Sequence, residues 1–309
     1  MIRKILVGVI LILIIVSSAG LYQYHNEDLS TFEEARAAST EKYLDLPLGK
    51  TRYQIYGNPN DKTIVLIHSF NGFIESWQPN IGALVQAGYR IVAYDLWGRG
   101  LSDRPRIDLT MAVFQQQLAD VLDAVGVDNA ILVGSSFGCV IASHYALQHP
   151  EKVEKLVMIG PAGWPKKDDS SKALLGIPLL GDMLFHYFGQ AILRPSVEAY
   201  FYKNTDEQAL GLWNKYAAFP GFTRSALSSL RHSPVQDNSE GWAKLGTSNV
   251  PMVFIWAKQD ISFPFENTQK VAELIPQAKI IAVDNAAHWV NIEQADVVNA
   301  AIIDFIQSD

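Results

Sequence analysis

The segment Gly134-Ser135-Ser136-Phe137-Gly138 follows the strand-like run Ala130-Ile131-Leu132-Val133, and a helix-compatible run leaves it from Cys139. A chain that reverses sharply from strand into helix strains the residue at the apex. It also packs the residues two before and two after almost together, so both must be small. With Ser136 at the apex those positions are Gly134 and Gly138; with Ser135 they would be Val133 and Phe137, which collide. Ser136 is therefore the candidate nucleophile. A serine hydroxyl attacks poorly at neutral pH and needs a base within hydrogen-bond reach. His288 lies between the last strand-like run and the last helical one, at the carboxyl edge where a doubly wound sheet presents its ligands. The base needs an acid to fix its tautomer and stabilise the imidazolium. Asp260 stands in a loop directly after the run Met252–Trp256, whereas Asp284 and Asp95 end strands and read as cap or turn residues. Attack on a carbonyl also needs donors for the oxyanion. The backbone N–H of Phe137 is one, and the loop after Thr63–His68 should supply another.

Other signals are weaker. Of the remaining histidines, His25 lies near the N-terminus, His144 and His149 share the helix after Ser136, and His186 and His232 belong to or border an aromatic-rich stretch. His144 and His149 are five apart and do not share a helix face well enough to chelate. Gly98-Arg99-Gly100 has Asp103 where a dinucleotide fingerprint requires glycine, and Gly49-Lys50-Thr51 has Leu44 where a phosphate loop requires it. Cys139 reads as a small buried helix residue; as the single cysteine it excludes an intramolecular disulfide and any multi-cysteine metal site. No cofactor and no metal is expected.

The elements that must carry these residues alternate. Strand candidates are 51–56, 63–68, 90–95, 130–134, 155–159, 252–256 and 279–283, with helical stretches at 110–125, 137–148, 265–274 and 290–306. Several strands are near-continuous Ile, Val and Leu, as in a parallel sheet covered on both faces. The expected fold is α/β, a doubly wound, mostly parallel sheet. The alternation fails after Trp164. The 59 residues to Phe222 hold eleven aromatics, well above the chain-wide 11%. This stretch reads as an inserted helical cap over 164–232, with the core at 44–163 and 233–309.

These motifs resemble the α/β-hydrolase superfamily, particularly its esterases, lipases and carbon–carbon bond hydrolases with a helical lid. The resemblance runs from about Tyr53 to the C-terminus. It is carried by His68-Ser69-Phe70-Asn71-Gly72 with Trp77 after it, and by Asp95-Leu96-Trp97-Gly98-Arg99-Gly100-Leu101-Ser102. It continues through the Ser136 turn, Asp260, and His288 followed by Glu293, in the chain order Ser…Asp…His. It implies a Ser136–His288–Asp260 triad, Phe70 as the second oxyanion donor, and His68 as a structural histidine beside that loop. Ser69 departs from the glycine usual there. The expected activity is hydrolysis of a carboxylic ester with an apolar acyl group. A carbon–carbon bond hydrolase with the same triad, thioester or peptide cleavage, and a catalytically silent binding module are the alternatives.

The N-terminus is of another kind. Arg3 and Lys4 precede an uncharged run from Ile5 to Leu21, with Tyr22 and Tyr24 after it. Seventeen helical residues span about 25 Å, a short membrane anchor, while small residues at Ser17 and Ala19 also fit a cleaved signal peptide. Either reading exports the chain: anchored with its catalytic domain outside the cytoplasm, or secreted or periplasmic after cleavage. Residues 22–43 read as a polar tether with a helical piece, which Ser30 with Glu33 or Thr31 with Glu34 could cap. Twenty-five Lys and Arg against 32 Asp and Glu give a formal charge of −7 with no basic block, which argues against a nucleic-acid partner. The expected partner is a small-molecule or lipid ester, with the membrane added through residues 5–21 if they are retained.

Overall fold

The computed structural model describes residues 18, 20, 22–24, 26–165 and 175–308. The expected anchor or signal at 1–21 lies outside them apart from Ser18 and Gly20. Among the described residues no helix is long and apolar enough to cross a membrane.

Eight strands form one sheet: β1 (Lys42–Leu46), β2 (Gly49–Tyr56), β3 (Thr63–Ile67), β4 (Arg90–Tyr94), β5 (Ala130–Ser135), β6 (Val153–Ile159), β7 (Met252–Ala257) and β8 (Lys279–Val283). Their spatial order is β1-β2-β4-β3-β5-β6-β7-β8. Strands β3 to β8 are parallel, and β1 and β2 pair antiparallel at one edge. The chain winds outward in one direction from β3 and in the other from β5, so their carboxyl ends flank the switch point where such sheets hold ligands. The seven strands expected from sequence are all present. The additional β1 forms a hairpin with β2 through Gly49, whose φ of 129° only glycine adopts readily.

Burial on both faces explains the uninterrupted aliphatic runs. Ile64 and Leu66 of β3 point into one apolar cluster with Trp77, Ile81 and Val298, while Val65 and Ile67 join the opposite one with Leu132, Phe114 and Val140. Helices α1 (Ser30–Ala37), α2 (Gln78–Gln86), α3 (Met111–Ala124) and α4 (Phe137–Gln148) come before β6. Between β6 and β7 the described residues form α5 (Leu180–Glu198), α6 (Glu207–Ala217), α7 (Phe222–His232) and α8 (Ser239–Leu245). After β7 come α9 (Asn267–Leu274), α10 (Val290–Glu293) and α11 (Ala295–Gln307). The inserted helices are tied to the core through Tyr216, whose hydroxyl donates to Glu75 at 2.6 Å while Arg52 grips the same carboxylate.

The stretch read as a tether docks on this framework. Phe32 of α1 is fully buried, with its ring 5.6 Å from Phe219 and the Arg104 guanidinium 4.0 Å above it. Glu27 accepts from the Gly221 amide at 3.0 Å and from Arg224 Nε at 2.8 Å. Neither expected capping box forms at α1. Asp28 takes the role instead, accepting from the Ser30 amide at 2.9 Å one residue before the helix's own cap position.

Candidate active site

Strand β5 ends at Ser135 and α4 begins at Phe137, leaving Ser136 alone to make the turn, at φ 53° and ψ −110°. A non-glycine residue there costs about 1–3 kcal/mol and persists only where its surroundings fix it. The surroundings do so. The Ser136 amide donates to the Ile159 carbonyl at 2.9 Å, and its own carbonyl accepts from Ala162 at 3.2 Å and Cys139 at 3.0 Å. The glycine pair has the expected cause: a Cβ on Gly134 would fall 2.5 Å from the Gly138 carbonyl carbon, and one on Gly138 would strike the Ile67 carbonyl. Neighbouring Ser135 has a buried hydroxyl with no hydrogen-bond partner. Cys139 is buried, its Sγ turned to the Gly134 carbonyl at 3.1 Å, and burial pushes its thiol pKa up, away from nucleophile chemistry.

His288 sits on the loop between β8 and α10, fully buried, and its Nδ1 donates to Asp260 Oδ2 at 2.8 Å. The other carboxylate oxygen accepts from the Ser262 and Phe263 amides at 2.8 and 2.9 Å, so the loop after β7 aims the acid at the ring. His288 Nε2 is buried without a partner, the condition of an atom reserved for an acceptor role. Tyr200 and Phe263 pack on the imidazole with centroids 4.7 and 5.5 Å away. Both also line, with Ser136, a cavity of about 990 Å³. Gly160, directly after β6, lies beside the pair; its missing Cβ would stand 3.5 Å from both Asp260 Oδ2 and His288 Nδ1. The rival carboxylates are engaged elsewhere. Asp284 pairs with Lys258 at 3.0 Å on the surface, and Asp95 anchors the Ile74 and Leu101 amides, each at 2.9 Å, beside Arg52.

The loop after β3 carries Phe70, whose ring lies edge-on to Phe137 at 6.3 Å. Buried Arg99 holds this loop from behind: its Nε donates to the Phe70 carbonyl and its guanidinium lies 4.4 Å over the Phe70 ring. Among the described residues no carboxylate pairs with Arg99, and burial pulls its pKa down to about 9. Ser69, the departure from glycine, accepts from Trp289 Nε1 at 3.1 Å, which binds the loop to the residue after His288. Ser69→Ala strands that buried indole N–H and is expected to cost about 1–3 kcal/mol in chemical unfolding, with turnover little changed.

His68 is fully buried. Its Nδ1 donates to the Ser69 carbonyl at 2.7 Å and its Nε2 accepts from the Leu96 amide at 2.9 Å, which fixes one neutral tautomer. Burial pulls its pKa down to about 3 from an ordinary 6.5. Between those values the unfolded chain binds a proton that the folded one does not, so stability falls as pH drops through this window. The expected contribution is up to about 1.4 kcal/mol per pH unit, lost from the slope in His68→Gln, as unfolding titrations between pH 7 and 4 would read.

The other described histidines do not line this cavity. His144 Nε2 bonds Asn238 at 2.7 Å and His149 packs tilted against Tyr145, centroids 4.9 Å apart. His232 pairs with Asp108 at 3.3 Å and His186 packs on Tyr24 at 6.2 Å; His25 falls outside the described residues. Among those residues no cluster of His, Cys, Asp or Glu could hold a metal.

Sequence reasoning passed over two side chains of the site. Asn71 donates to the Tyr200 hydroxyl at 3.1 Å while its Oδ1 is buried without a partner at the cavity wall. Tyr200, pushed up to about 12 by burial, comes from the turn between α5 and α6. Asn71 stands inside a motif the sequence displays; nothing in the sequence ties Tyr200 to His288.

The family model describing the alpha/beta hydrolase fold matches residues 62–295, which take in Phe70, Asn71, Ser136, Tyr200, Asp260 and His288. The chain belongs to the α/β-hydrolase family. This hydrolase is 26% identical over 253 residues to a 2-hydroxy-6-oxo-6-phenylhexa-2,4-dienoate hydrolase of Comamonas testosteroni, covering 80% of this chain and 88% of that one. It is 25% identical to a putative carbamate hydrolase of Variovorax paradoxus, over 82% of this chain and 95% of the relative. Among solved structures, a carboxylesterase of Nitrososphaera gargenis superposes with a TM-score of 0.68 at 21% identity, covering 86% of this hydrolase and 97% of that chain. The enol-lactonase of Burkholderia xenovorans does so with a TM-score of 0.71 at 20% identity, over 86% and 100%.

Proposed function

We propose that this hydrolase cleaves a neutral carboxylic ester with an apolar acyl group, through Ser136, His288 and Asp260. The observation that carries this reading is the lining of the cavity at Ser136. Its described walls include Trp164, Leu184, Phe185, Leu193, Tyr200 and Phe263, and none of the described lining residues is charged. The Comamonas relative is named for a dienoate, an anion, and a site for such a carboxylate calls for a cation or several converging donors. That difference favours the ester over the carbon–carbon bond reading, which the relative's name otherwise supports.

In this mechanism His288 Nε2 takes the Ser136 proton as Oγ attacks the ester carbonyl. The Phe137 and Phe70 amides hold the oxyanion, and the imidazolium then protonates the leaving alkoxide. Water activated by the same nitrogen releases the acid and restores the serine. The helices α5 to α7 act as a cap that keeps water from the acyl chain. Each buried methylene contributes about 0.8 kcal/mol, so kcat/KM should rise roughly fourfold per carbon until the cavity is full. A series of p-nitrophenyl esters from acetate to decanoate tests this. Cleavage of the phenylhexadienoate with no turnover of any ester would overturn it.

Residues 5–21 are proposed to anchor the enzyme with its catalytic domain on the far side of the cytoplasmic membrane, since Arg3 and Lys4 hold the N-terminus inside. Cleavage of this segment would release the enzyme instead. Protease access to intact cells, spheroplasts and lysed cells reads the side: a domain protected in spheroplasts and digested only once the cytoplasmic membrane is opened would refute export.

A further inference from the structure

We propose that the outward face of α5 docks on a phospholipid bilayer, so that the cavity over Ser136 draws its substrate from the acyl region of the membrane. This extends the ester-hydrolase reading and rests on it for the kind of substrate, but not for the docking itself.

Helix α5 is apolar on two faces. Phe185, Gly189, Leu193 and Val197 turn inward and are buried. Leu180, Leu184, Phe188, Ala191, Ile192 and Pro195 follow a helical spacing of 4, 8, 11, 12 and 15 along the opposite side. Phe188 is 58% exposed, and Leu180 and Ile192 40% each. Between Leu180 and Pro195 no charged residue lies within this stripe: Asp182 turns to Arg231, and Arg194 with its partner Glu198, 2.8 Å away, borders its C-terminal end. A contiguous exposed apolar stripe rimmed by polar residues marks a protein or membrane contact. Exposed Ile177 and Leu179 continue the patch ahead of the helix.

Two further observations select the bilayer as the occupant. Leu184, Ile192 and Pro195 of the stripe are also walls of the cavity, and Ile261, 67% exposed, lines it from the loop after β7. The patch is therefore continuous with the cavity, and among the described residues no charged side chain lines the cavity that acyl chains would enter. Gly20, next to the end of the uncharged run Ile5–Leu21 in the sequence, lies at this face: a side chain on it would collide with the Tyr187 ring of α5, and Tyr22 after it is exposed. A membrane holding that run lies next to α5. A polar tether long enough to separate them is absent, because Tyr24 and Glu27 are already packed on the inserted helices.

The test uses the full-length protein in phosphatidylcholine vesicles. Phe188→Cys labelled with an environment-sensitive fluorophore reports the stripe, since the native Cys139 is buried and resists labelling. Glu240→Cys, at an exposed position of α8, is the control. The expected result is a blue shift and strong quenching by acyl-brominated lipid at position 188 and neither at 240. In parallel, Phe188→Asp and Leu180→Asp should lower turnover of a vesicle-borne long-chain ester at least tenfold while p-nitrophenyl butyrate in solution is cleaved as before. A label at 188 that is not quenched, whether open to water or covered by this chain or another copy, overturns the docking surface, as does an unchanged rate on the vesicle-borne ester. Failure of the ester reading looks different: no ester is cleaved in either phase, and lipid quenching at 188 still decides the docking.

Discussion

Ser136→Ala should lower ester turnover by about six orders of magnitude and abolish labelling by a serine-directed phosphonate, while the unfolding midpoint moves little. The size follows from what the hydroxyl alone supplies. Without it the base has no proton to take and no acyl-enzyme forms, so only binding and oxyanion stabilisation remain. The backbone should survive, because the turn is held by the Ile159 and Ala162 hydrogen bonds and by the glycine pair, not by the side chain. Alanine at φ 53° is about as strained as serine, so little stability changes hands. Ser135→Ala is the matched control. It deletes a buried hydroxyl that satisfies no partner, so it should be neutral or slightly stabilising and leave turnover intact. If the two variants exchanged behaviour, the nucleophile would be Ser135.

Much of this site was legible in the sequence because its constraints are local. The apex at Ser136 follows from which residues two away are small, and the structure supplies the collisions that enforce it. His288 and Asp260 were legible through position, each in a loop at the end of a buried strand, although the 2.8 Å contact joining them spans 28 residues of sequence. What escaped was set by tertiary packing. Tyr200 meets His288 only because α5 carries it across the sheet's edge, and a tyrosine in an aromatic-rich stretch has no local mark of that. Helix α2 was passed over because it has Pro79 in its first turn and contains Gly82, poor helix formers whose cost is met by packing Ile81 and Leu84 on the sheet. Strand β1 is a short edge strand with no fully buried residue, so its alternation was weak. The segment at 22–43 is polar enough to read as a tether. Its attachment depends on Phe32, Glu27 and Arg36 finding Phe219, Arg224 and Asp103, far away in the chain.

The acid is the part of the assignment for which the sequence left rivals, and the sharpest measurement is a comparison among them. Asp260→Asn should reduce turnover by about four orders of magnitude, because an amide facing Nδ1 can favour the tautomer with its proton on Nε2, where it blocks acceptance from Ser136. The geometry makes the variant clean. Oδ1 of Asp260 already accepts from the Ser262 and Phe263 amides, so the asparagine oxygen stays there and its NH₂ group is forced toward the imidazole. The fold should hold, since both loop contacts are kept. Asp284→Asn removes only a surface pair with Lys258, worth at most about 1 kcal/mol of stability, and should leave turnover within a factor of two. Asp95→Asn should instead lower stability, because that carboxylate binds two buried amides and Arg52, with activity falling only as folded protein is lost. Rates normalised to folded, phosphonate-reactive enzyme separate the three. A normalised loss greater in Asp284→Asn or Asp95→Asn than in Asp260→Asn would move the orienting acid away from β7 and leave the His288–Asp260 contact a packing feature of the buried loop.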